Sequence, residues 1–219
     1  MMSKKYGRGS AAIVALVIVA ILALVLGVWG GRHWFGDRQA GRPAPQDFPG
    51  FVLPGEGKAI PAFELLDGDG RVFDLSNLRG HWTLLFFGYT HCPDVCPTAL
   101  STLNTIHEGL EKTRDGGDDV EVVFVSVDPE RDKPAQLKEY VGYFNPAFIG
   151  VTGEPDTLAS FSRVLGAVYA KAKGTDSSGY LVDHTAAIFL INPEGRYKAV
   201  MSPPHDAAKI IAGIDTLRD

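Results

Sequence analysis

Two short apolar runs, separated by a segment with helical periodicity, constrain the fold of this chain most strongly. The runs are Trp82 to Phe87 and Val120 to Val127, and such runs are typical of strands covered on both faces. The segment between them predicts a helix that begins near Pro97. Its apolar positions recur at steps of three and four, at Leu100, Leu103, Ile106 and Leu110. Strand, helix and strand in this order predict an α/β unit with a central sheet.

The pattern extends this unit in both directions along the chain. A helical stripe after Pro134 is followed by a strand at Phe148 to Val151 and by a helix that closes at Gly166. Turn residues predict two β-hairpins, one around Asp67 to Gly70 and one around Pro193 to Gly195. The last helix carries Ile210, Ile214 and Leu217. This order predicts an α/β thioredoxin-like fold with an added N-terminal β-hairpin and an inserted helix.

An apolar segment and a linker precede the predicted domain. Every residue from Ala11 to Gly30 is apolar or glycine, and about 20 such residues match the hydrocarbon core of a bilayer. We therefore predict one transmembrane helix over 11–30, which is retained because a cleaved signal peptide has a shorter apolar core. Residues 31–59 are rich in proline and glycine and are predicted to form a tether. The globular domain is predicted to cover 60–219.

Charge predicts how the segment is oriented and excludes one class of function. Basic residues are more numerous before the apolar run than directly after it, at Lys4, Lys5 and Arg8. By the positive-inside rule, residues 1–10 are predicted to be cytoplasmic, with the domain on the periplasmic side of a bacterial inner membrane. The formal net charge of -5 argues against a nucleic-acid-binding protein, which normally shows a basic face.

The chemistry of the chain is concentrated where the first apolar strand meets the first helix. Cys92-Pro93-Asp94-Val95-Cys96-Pro97 lies there, and it contains both cysteines of the chain. A helix N-terminus favours the thiolate form, and a spacing of i to i+4 puts both sulfurs on one face. The pair can share a metal ion or, with adjustment, form a disulfide. It differs from the usual redox motif, which has two residues between its cysteines.

A histidine is the expected third ligand, because soft thiolates favour Cu(I) and an imidazole can complete a site for Cu(I) or Cu(II). His184 is the best candidate, since it precedes the apolar strand Ala186 to Asn192, where thioredoxin-like folds bring a loop against the cysteine helix. His91 is a weaker candidate for a role beside the site. Structural zinc is the competing assignment, although it usually requires four protein ligands. No role is predicted for His33, His81, His107 and His205.

An acidic segment after the second strand, Asp128-Pro129-Glu130-Arg131-Asp132, is either a docking surface or a local structural element. We favour the local interpretation for Asp132, which is predicted to cap the helix that begins at Pro134. Arg131 is predicted to pair with a neighbouring carboxylate.

Three separated motifs strongly resemble the Sco/SenC family of copper-binding assembly factors for cytochrome c oxidase. They are Phe87-Gly88-Tyr89-Thr90-His91-Cys92-Pro93-Asp94-Val95-Cys96-Pro97, Val125-Ser126-Val127-Asp128-Pro129-Glu130-Arg131-Asp132 and Val182-Asp183-His184-Thr185. The resemblance implies that Cys92, Cys96 and His184 bind one copper ion. Thr185 departs from the serine found at this position in many members, but it keeps a hydroxyl.

The resemblance also implies the partner and the process. It implies delivery of copper to the binuclear copper site of cytochrome c oxidase subunit II, or reduction of the cysteines of that subunit. Other periplasmic copper chaperones and thiol reductants are further expected partners.

Two other functions and one structural role remain open from the sequence. The Cys92 and Cys96 dithiol could serve a thiol-disulfide oxidoreductase with Cys92 as the attacking thiolate, or a redox or copper sensor. An inert disulfide between the two cysteines is the simplest structural alternative.

Overall fold

The computed structural model describes residues 9–35, 48–113, 120–173 and 179–218, and the chain divides into two compact units, Met1–Pro43 and Ala44–Asp219. In the first unit the described residues form one helix, α1 (Gly9–Phe35), whose side chains are described for 13–27. In the described part of the chain, no helix is both long enough and apolar enough to cross a membrane. The anchor over 11–30 and its orientation stay predictions, and residues 1–8 and 36–47 lie outside the described residues.

The second unit is built on one mixed sheet, which contains nine strands in the described ranges. The strands of this sheet are β1 (Phe51–Val52), β2 (Lys58–Ala59), β3 (Glu64–Asp67), β4 (Val72–Asp74), β5 (Trp82–Gly88), β6 (Val120–Ser126), β7 (Ile149–Thr152), β10 (Ile188–Ile191) and β11 (Arg196–Met201). The strand order is β1-β11-β10-β5-β6-β7-β3-β4, and β2 pairs with β11. The central strands β5, β6 and β7 are parallel, and all other pairs of this sheet are antiparallel.

Four α-helices accompany the sheet within the described ranges, and their order confirms the predicted order of helices. They are α2 (Val95–Thr113), α3 (Pro134–Phe144), α4 (Pro155–Leu165) and α5 (Ala207–Arg218). Helix α4 ends at Gly166, whose φ of 79° lies in the left-handed region that favours glycine. Both predicted hairpins form, as the antiparallel pairs β3–β4 and β10–β11.

The sheet extends further towards the N-terminus than the predicted boundary at Ile60. Within the segment predicted as a tether, Phe51 pairs with Val200 and Ala59 pairs with Arg196. The physical reason is that β11 would otherwise be an edge strand with unpaired backbone groups, which these short strands cover. Residues 51–52 and 58–59 therefore belong to the sheet.

A second, two-stranded sheet was not predicted from the sequence. It consists of β8 (Tyr169–Lys173) and β9 (Tyr180–His184), in which Tyr169 pairs with His184. In the described residues it has no strand pairing with the nine-stranded sheet. His184 is therefore the last residue of strand β9, whereas the sequence predicts a loop before β10 at this position.

Strand β5 carries a core on both faces, as its continuous apolar sequence predicts. Phe87 packs against Phe161 of α4, with ring centroids 6.0 Å apart, whereas Phe86 packs against Phe124 of β6 at 6.4 Å. Neighbouring residues of a strand point to opposite faces, so Gly88 lies on the face of Phe86. The site described below lies on that face.

Gly88 ends β5 at the point of closest approach between the sheet and α2. A Cβ atom at this position would lie 2.7 Å from Cys96 Sγ and 2.7 Å from the ring of Phe124. Neither neighbour has room to move, because Cys96 and Phe124 are both fully buried. The glycine therefore leaves the space that the Cys96 sulfur occupies.

We expect Gly88→Ala to lower the free energy of unfolding by about 1–3 kcal/mol, the usual cost of overpacking a core. Gly142→Ala is the matched control, because a Cβ at this helical glycine of α3 meets nothing within 4 Å. That control should raise stability by about 0.5–1 kcal/mol. Urea denaturation of residues 44–219 measures both, and equal stability of the two variants would contradict the packing argument.

Candidate metal centre

The two cysteines lie at the junction of β5 and α2, where the sequence places them. Helix α2 begins at Val95, so Cys96 is in its first turn and Cys92 is in the loop before it. The Cys92 backbone N–H donates to the Tyr89 carbonyl at 3.2 Å, and the Cys96 backbone N–H points at Cys92 Sγ at 3.4 Å. Neither cysteine is disulfide-bonded, so the inert disulfide is not present in this structure.

His184 closes the site from the opposite side. Its Nε2 lies 3.3 Å from Cys96 Sγ, and the ligand atoms of Cys92, Cys96 and His184 all lie within 4.8 Å of one another. Within the described ranges, these three residues form the one cluster of His, Cys, Asp or Glu side chains whose spacing suits a metal ion. The structure thus brings together the three residues that the sequence predicts as metal ligands, although Cys96 and His184 are 88 residues apart in the chain.

Neighbouring groups fix the orientation of the His184 ring. Its Nδ1 lies 3.3 Å from the Thr185 carbonyl, and its ring meets those of Phe86 and Tyr89 edge-on, each at 5.9 Å between centroids. A carbonyl at Nδ1 favours the tautomer with the proton on Nδ1, which leaves the Nε2 lone pair for a metal or a thiol.

The hydroxyl of Thr185 also has a defined role. It accepts a hydrogen bond from the Val168 backbone N–H at 3.0 Å and donates one to the Val168 carbonyl at 3.2 Å. The Thr185 backbone N–H donates to the same carbonyl at 2.9 Å. A serine hydroxyl could make the same bonds, so the departure from the family pattern leaves this anchor of the histidine strand intact.

Hydrogen bonding divides the two thiols into one acid and one base. The Cys96 thiol donates a hydrogen bond to Cys92, and this bond is the largest cause that lowers the pKa of Cys92 to about 3. Burial opposes the shift, whereas hydrogen bonds with His184 and with the backbone N–H groups of Cys96 and Asp94 lower the pKa further. The same bond, together with burial, raises the pKa of Cys96. The metal-free site therefore holds a thiolate at Cys92 and a thiol at Cys96.

Asp132 does not cap α3, so that prediction is wrong. The residue at the N-cap is Lys133, and it makes no side-chain capping bond. The Asp132 carboxylate is fully buried and accepts hydrogen bonds from the Thr90 backbone N–H at 2.9 Å, Thr90 Oγ1 at 2.6 Å and Ser126 Oγ at 2.6 Å. A buried carboxylate needs such donors, and the Thr90 loop supplies two of them. Asp132 therefore fastens the cysteine loop to β6.

The other histidines lie outside the three-residue group. His91 is the nearest in sequence, but its side chain is 42% exposed and its Nδ1 lies 3.0 Å from Thr90 Oγ1. His107 is buried against Phe148, and His205 contacts the Met201 carbonyl. His81 lies 3.0 Å from Glu121, and the side chain of His33 is outside the described residues.

Sequence reasoning missed three residues that shape the site: Gly88, Tyr89 and the strand partner Tyr169. A glycine that ends a buried strand was a readable signal, since it often marks a close approach of another group. The Tyr89 and Tyr169 contacts depend on which strands meet in space, and no local pattern carries that information.

The donor set fits a soft or borderline metal ion. Two sulfurs and one imidazole nitrogen match the preferences of copper, whereas structural zinc usually has four protein ligands. The ligands are deprotonated when they bind, so Cys96 must lose its proton as the metal enters.

We expect iodoacetamide to label Cys92 at a rate that is nearly constant between about pH 5 and pH 8. With a pKa of about 3, Cys92 is a thiolate throughout this range, whereas an ordinary thiol reacts about tenfold faster with each added pH unit below its pKa. Mass spectrometry should place the label on Cys92 and not on Cys96. The chain unfolded in guanidinium is the control and should show the steep pH dependence, and a steep profile in the folded chain would contradict the assignment.

Comparisons with known proteins agree with this geometry. A model of the SCO1/SenC family matches residues 53–219. The mitochondrial protein SCO1 homolog 1 of Arabidopsis thaliana is 40% identical over 163 residues, which cover 74% of this chain and 48% of that protein. A putative copper-binding protein of Stutzerimonas stutzeri is 38% identical over 154 residues, covering 70% of this chain and 73% of that protein. The chain spans 48% to 66% of the length of five curated relatives.

A solved structure shares the fold of the domain. The crystal structure of Arabidopsis thaliana ScoI with copper bound is 38% identical, with a TM-score of 0.68, over 73% of this chain and 98% of that one. This likeness confirms the predicted thioredoxin-like α/β fold. Because the family model covers most of the chain, the predicted family is also confirmed. The chain belongs to the SCO1/SenC family.

Proposed function

We propose that the chain binds one copper ion through Cys92 Sγ, Cys96 Sγ and His184 Nε2. The observation that carries this proposal is the placement of these three ligand atoms within 4.8 Å of one another. Two related proteins named for copper, the Arabidopsis structure and the Stutzerimonas protein, support copper as the metal. Copper is the cargo in this proposal.

The position of the site suits transfer better than permanent storage. Cys96 is fully buried, whereas Cys92 is 9% exposed and His184 is half-buried, so of the two sulfurs that of Cys92 is the more accessible to an approaching protein. Three protein ligands leave room for a ligand of the recipient to enter before one of the donor's ligands leaves. Rebinding of a proton at Cys96, whose pKa is raised, favours release of the metal.

The biological role that follows is assembly of cytochrome c oxidase. The three motifs resemble those of the Sco/SenC assembly factors, which implies the binuclear copper site of oxidase subunit II as the destination. We propose that the chain either delivers copper to this site or keeps the cysteines of that site reduced. Periplasmic copper donors and thiol reductants would then reload the chain.

The second candidate, thiol-disulfide exchange, rests on the unequal thiols. The Cys92 thiolate would attack a disulfide of a partner, forming a mixed disulfide and releasing one partner thiolate. Cys96 would then lose its proton and attack Cys92 Sγ, which yields the Cys92–Cys96 disulfide and releases the second partner thiolate. The lowered pKa of Cys92 makes it the attacking residue, and the 3.4 Å contact between Cys96 N and Cys92 Sγ shows how near Cys96 lies for the second step. A redox or copper sensor would use the same dithiol.

The domain is proposed to work on the periplasmic side of a bacterial inner membrane. The apolar run Ala11 to Gly30 supports a single-pass anchor, and the basic residues before it support a cytoplasmic N-terminus. The tether would let the domain reach a recipient in the same membrane.

We expect the reduced chain to bind one Cu(I) per molecule, and His184→Ala to weaken the affinity at least about tenfold, because one of three ligands is lost. His91→Ala is the matched control: this histidine adjoins Cys92 in sequence but lies outside the ligand group, and its loss should change affinity little. An anaerobic titration against a competing chelator measures all three proteins. Weak binding that is indifferent to His184 would favour thiol-disulfide exchange instead.

The chain expressed in a bacterium should remain with inner membranes after an alkaline carbonate wash, because an apolar run of about 20 residues spans the bilayer. Deletion of 1–31 should release the domain into the soluble fraction. A membrane-impermeant maleimide added to spheroplasts should label Cys92 of the full-length chain. A carbonate-soluble full-length chain, or a Cys92 that is labelled only after lysis, would contradict the proposed location.

A further inference from the structure

We propose that Arg131 is a positioning residue for the metal site, because its guanidinium joins the strand that carries His184 to the loop that carries the cysteines. The inference rests on the proposed function, since it assigns a residue that sets the affinity of that site. Arg131 is not among the three ligands and lies on neither the cysteine motif nor the histidine strand.

The histidine strand requires support from outside its own sheet. Strand β9 pairs with β8 alone among the described strands, so the ladder of the nine-stranded sheet does not hold His184 in place. Residues 174–178 between the two strands lie outside the described residues. At the base of the pair, the Thr185 and Val168 bonds provide one point of attachment. An ion pair joins Lys171 of β8 to Glu130, and a further attachment involves the far end of β9.

This further attachment is made by Tyr180 at the start of β9. Its hydroxyl donates to Asp128 Oδ1 at 2.8 Å, and its carbonyl accepts a hydrogen bond from the Arg131 guanidinium at 3.1 Å. The same guanidinium donates through Nε to Asp128 Oδ2. Asp128 is fully buried and the Arg131 side chain is 17% exposed, so the pair is shielded from water. Arg131 and Asp128 together therefore hold the backbone and the side chain of Tyr180.

The geometry of a strand transmits this contact to His184. Tyr180 and His184 are four residues apart in β9 and therefore lie on the same face, with Val182 between them. Val182 is buried, so this face of β9 is turned towards the protein. Fixing Tyr180 at one end of a five-residue strand fixes the register and the tilt with which His184 meets the cysteines.

The same guanidinium also contacts the cysteine side of the site. It lies 3.8 Å from the ring centroid of Tyr180 and 5.6 Å from that of Tyr89. Tyr89 is the residue whose carbonyl accepts from the Cys92 N–H, and its ring meets that of His184 edge-on. A planar cation can stack on both rings and still use its N–H fork, which the point charge of a lysine cannot do.

Arg131→Met tests the assignment, because it keeps the length of the side chain and removes the charge and the planar fork. In the full-length chain purified in a mild detergent, we expect Cu(I) affinity to fall about tenfold or more, as when groups that orient a metal ligand are lost. In a His184→Ala background the same change should alter affinity by no more than about twofold, because the residue to be positioned is absent. Arg131→Lys should restore only part of the affinity.

Arg71→Met is the matched control, since its side chain is 75% exposed and pairs with Asp69 in a hairpin remote from the site. It should leave Cu(I) affinity unchanged. Tyr180→Phe is the milder second variant if Arg131→Met folds poorly: it removes the hydroxyl bond to Asp128 and keeps the ring. It should weaken Cu(I) binding in the presence of His184 only. Circular dichroism establishes which variants are folded.

Two results would overturn the inference while leaving the proposed function standing. One is a loss of affinity that is equal with and without His184, which would indicate a general structural role. The other is unchanged affinity in Arg131→Met while His184→Ala still weakens binding. If His184→Ala itself has no effect on Cu(I) affinity, the proposed function fails, and the inference is then tested on the metal-free chain. The NMR resonances of the His184 ring should shift in Arg131→Met and not in Arg71→Met. Unshifted resonances in Arg131→Met would refute the inference.

Discussion

The buried carboxylate of Asp132 is the interaction on which the cysteine loop depends. It is inaccessible to solvent, and its two oxygens receive hydrogen bonds from the backbone and side chain of Thr90 and from Ser126. A charge in such a place is tolerated only when donors surround it, and loss of one partner leaves the rest poorly satisfied. The loop before Cys92 is therefore held against the end of β6, and the sulfurs keep a fixed position relative to the sheet.

With the cysteines fixed in this way, the site is completed by an element that the main sheet does not hold. His184 comes from the two-stranded sheet β8–β9, and its ring is set by Phe86, Tyr89 and the Thr185 carbonyl. The contacts of Tyr180 with Asp128 and Arg131 connect this sheet to the segment that also contains Asp132. One short segment after β6 thus contacts both the cysteine loop and the strand that carries His184.

The electrostatics of the site agree with both proposed functions. The Cys92 thiolate can act directly as a metal ligand or as a nucleophile. Cys96 is protonated and must lose its proton before it binds the metal or attacks the mixed disulfide at Cys92. His184 separates the two functions, because copper binding needs its nitrogen as a ligand, whereas disulfide exchange needs only the two sulfurs. The unequal thiols follow from their hydrogen bond and from burial: the Cys96 thiol donates to Cys92, and Cys96 is enclosed by the sheet at Gly88.

Local sequence was enough to predict the order of strands and helices and the position of the cysteines, because hydrophobic periodicity and proline or glycine signals act over a few residues. It also predicted His184 as a metal ligand, since the fold class places the segment before β10 near α2, the helix that carries Cys96. It did not predict the β8–β9 sheet, the pairing of residues 51–52 and 58–59 with β11 or the role of Asp132, whose position before Pro134 indicates a helix cap. Each of these depends on pairing between segments distant in the chain. The sequence by itself determined the chemistry of the donors, whereas only the tertiary structure decided their distances, their orientation and which thiol keeps its proton, because burial and hydrogen bonding arise when remote elements meet.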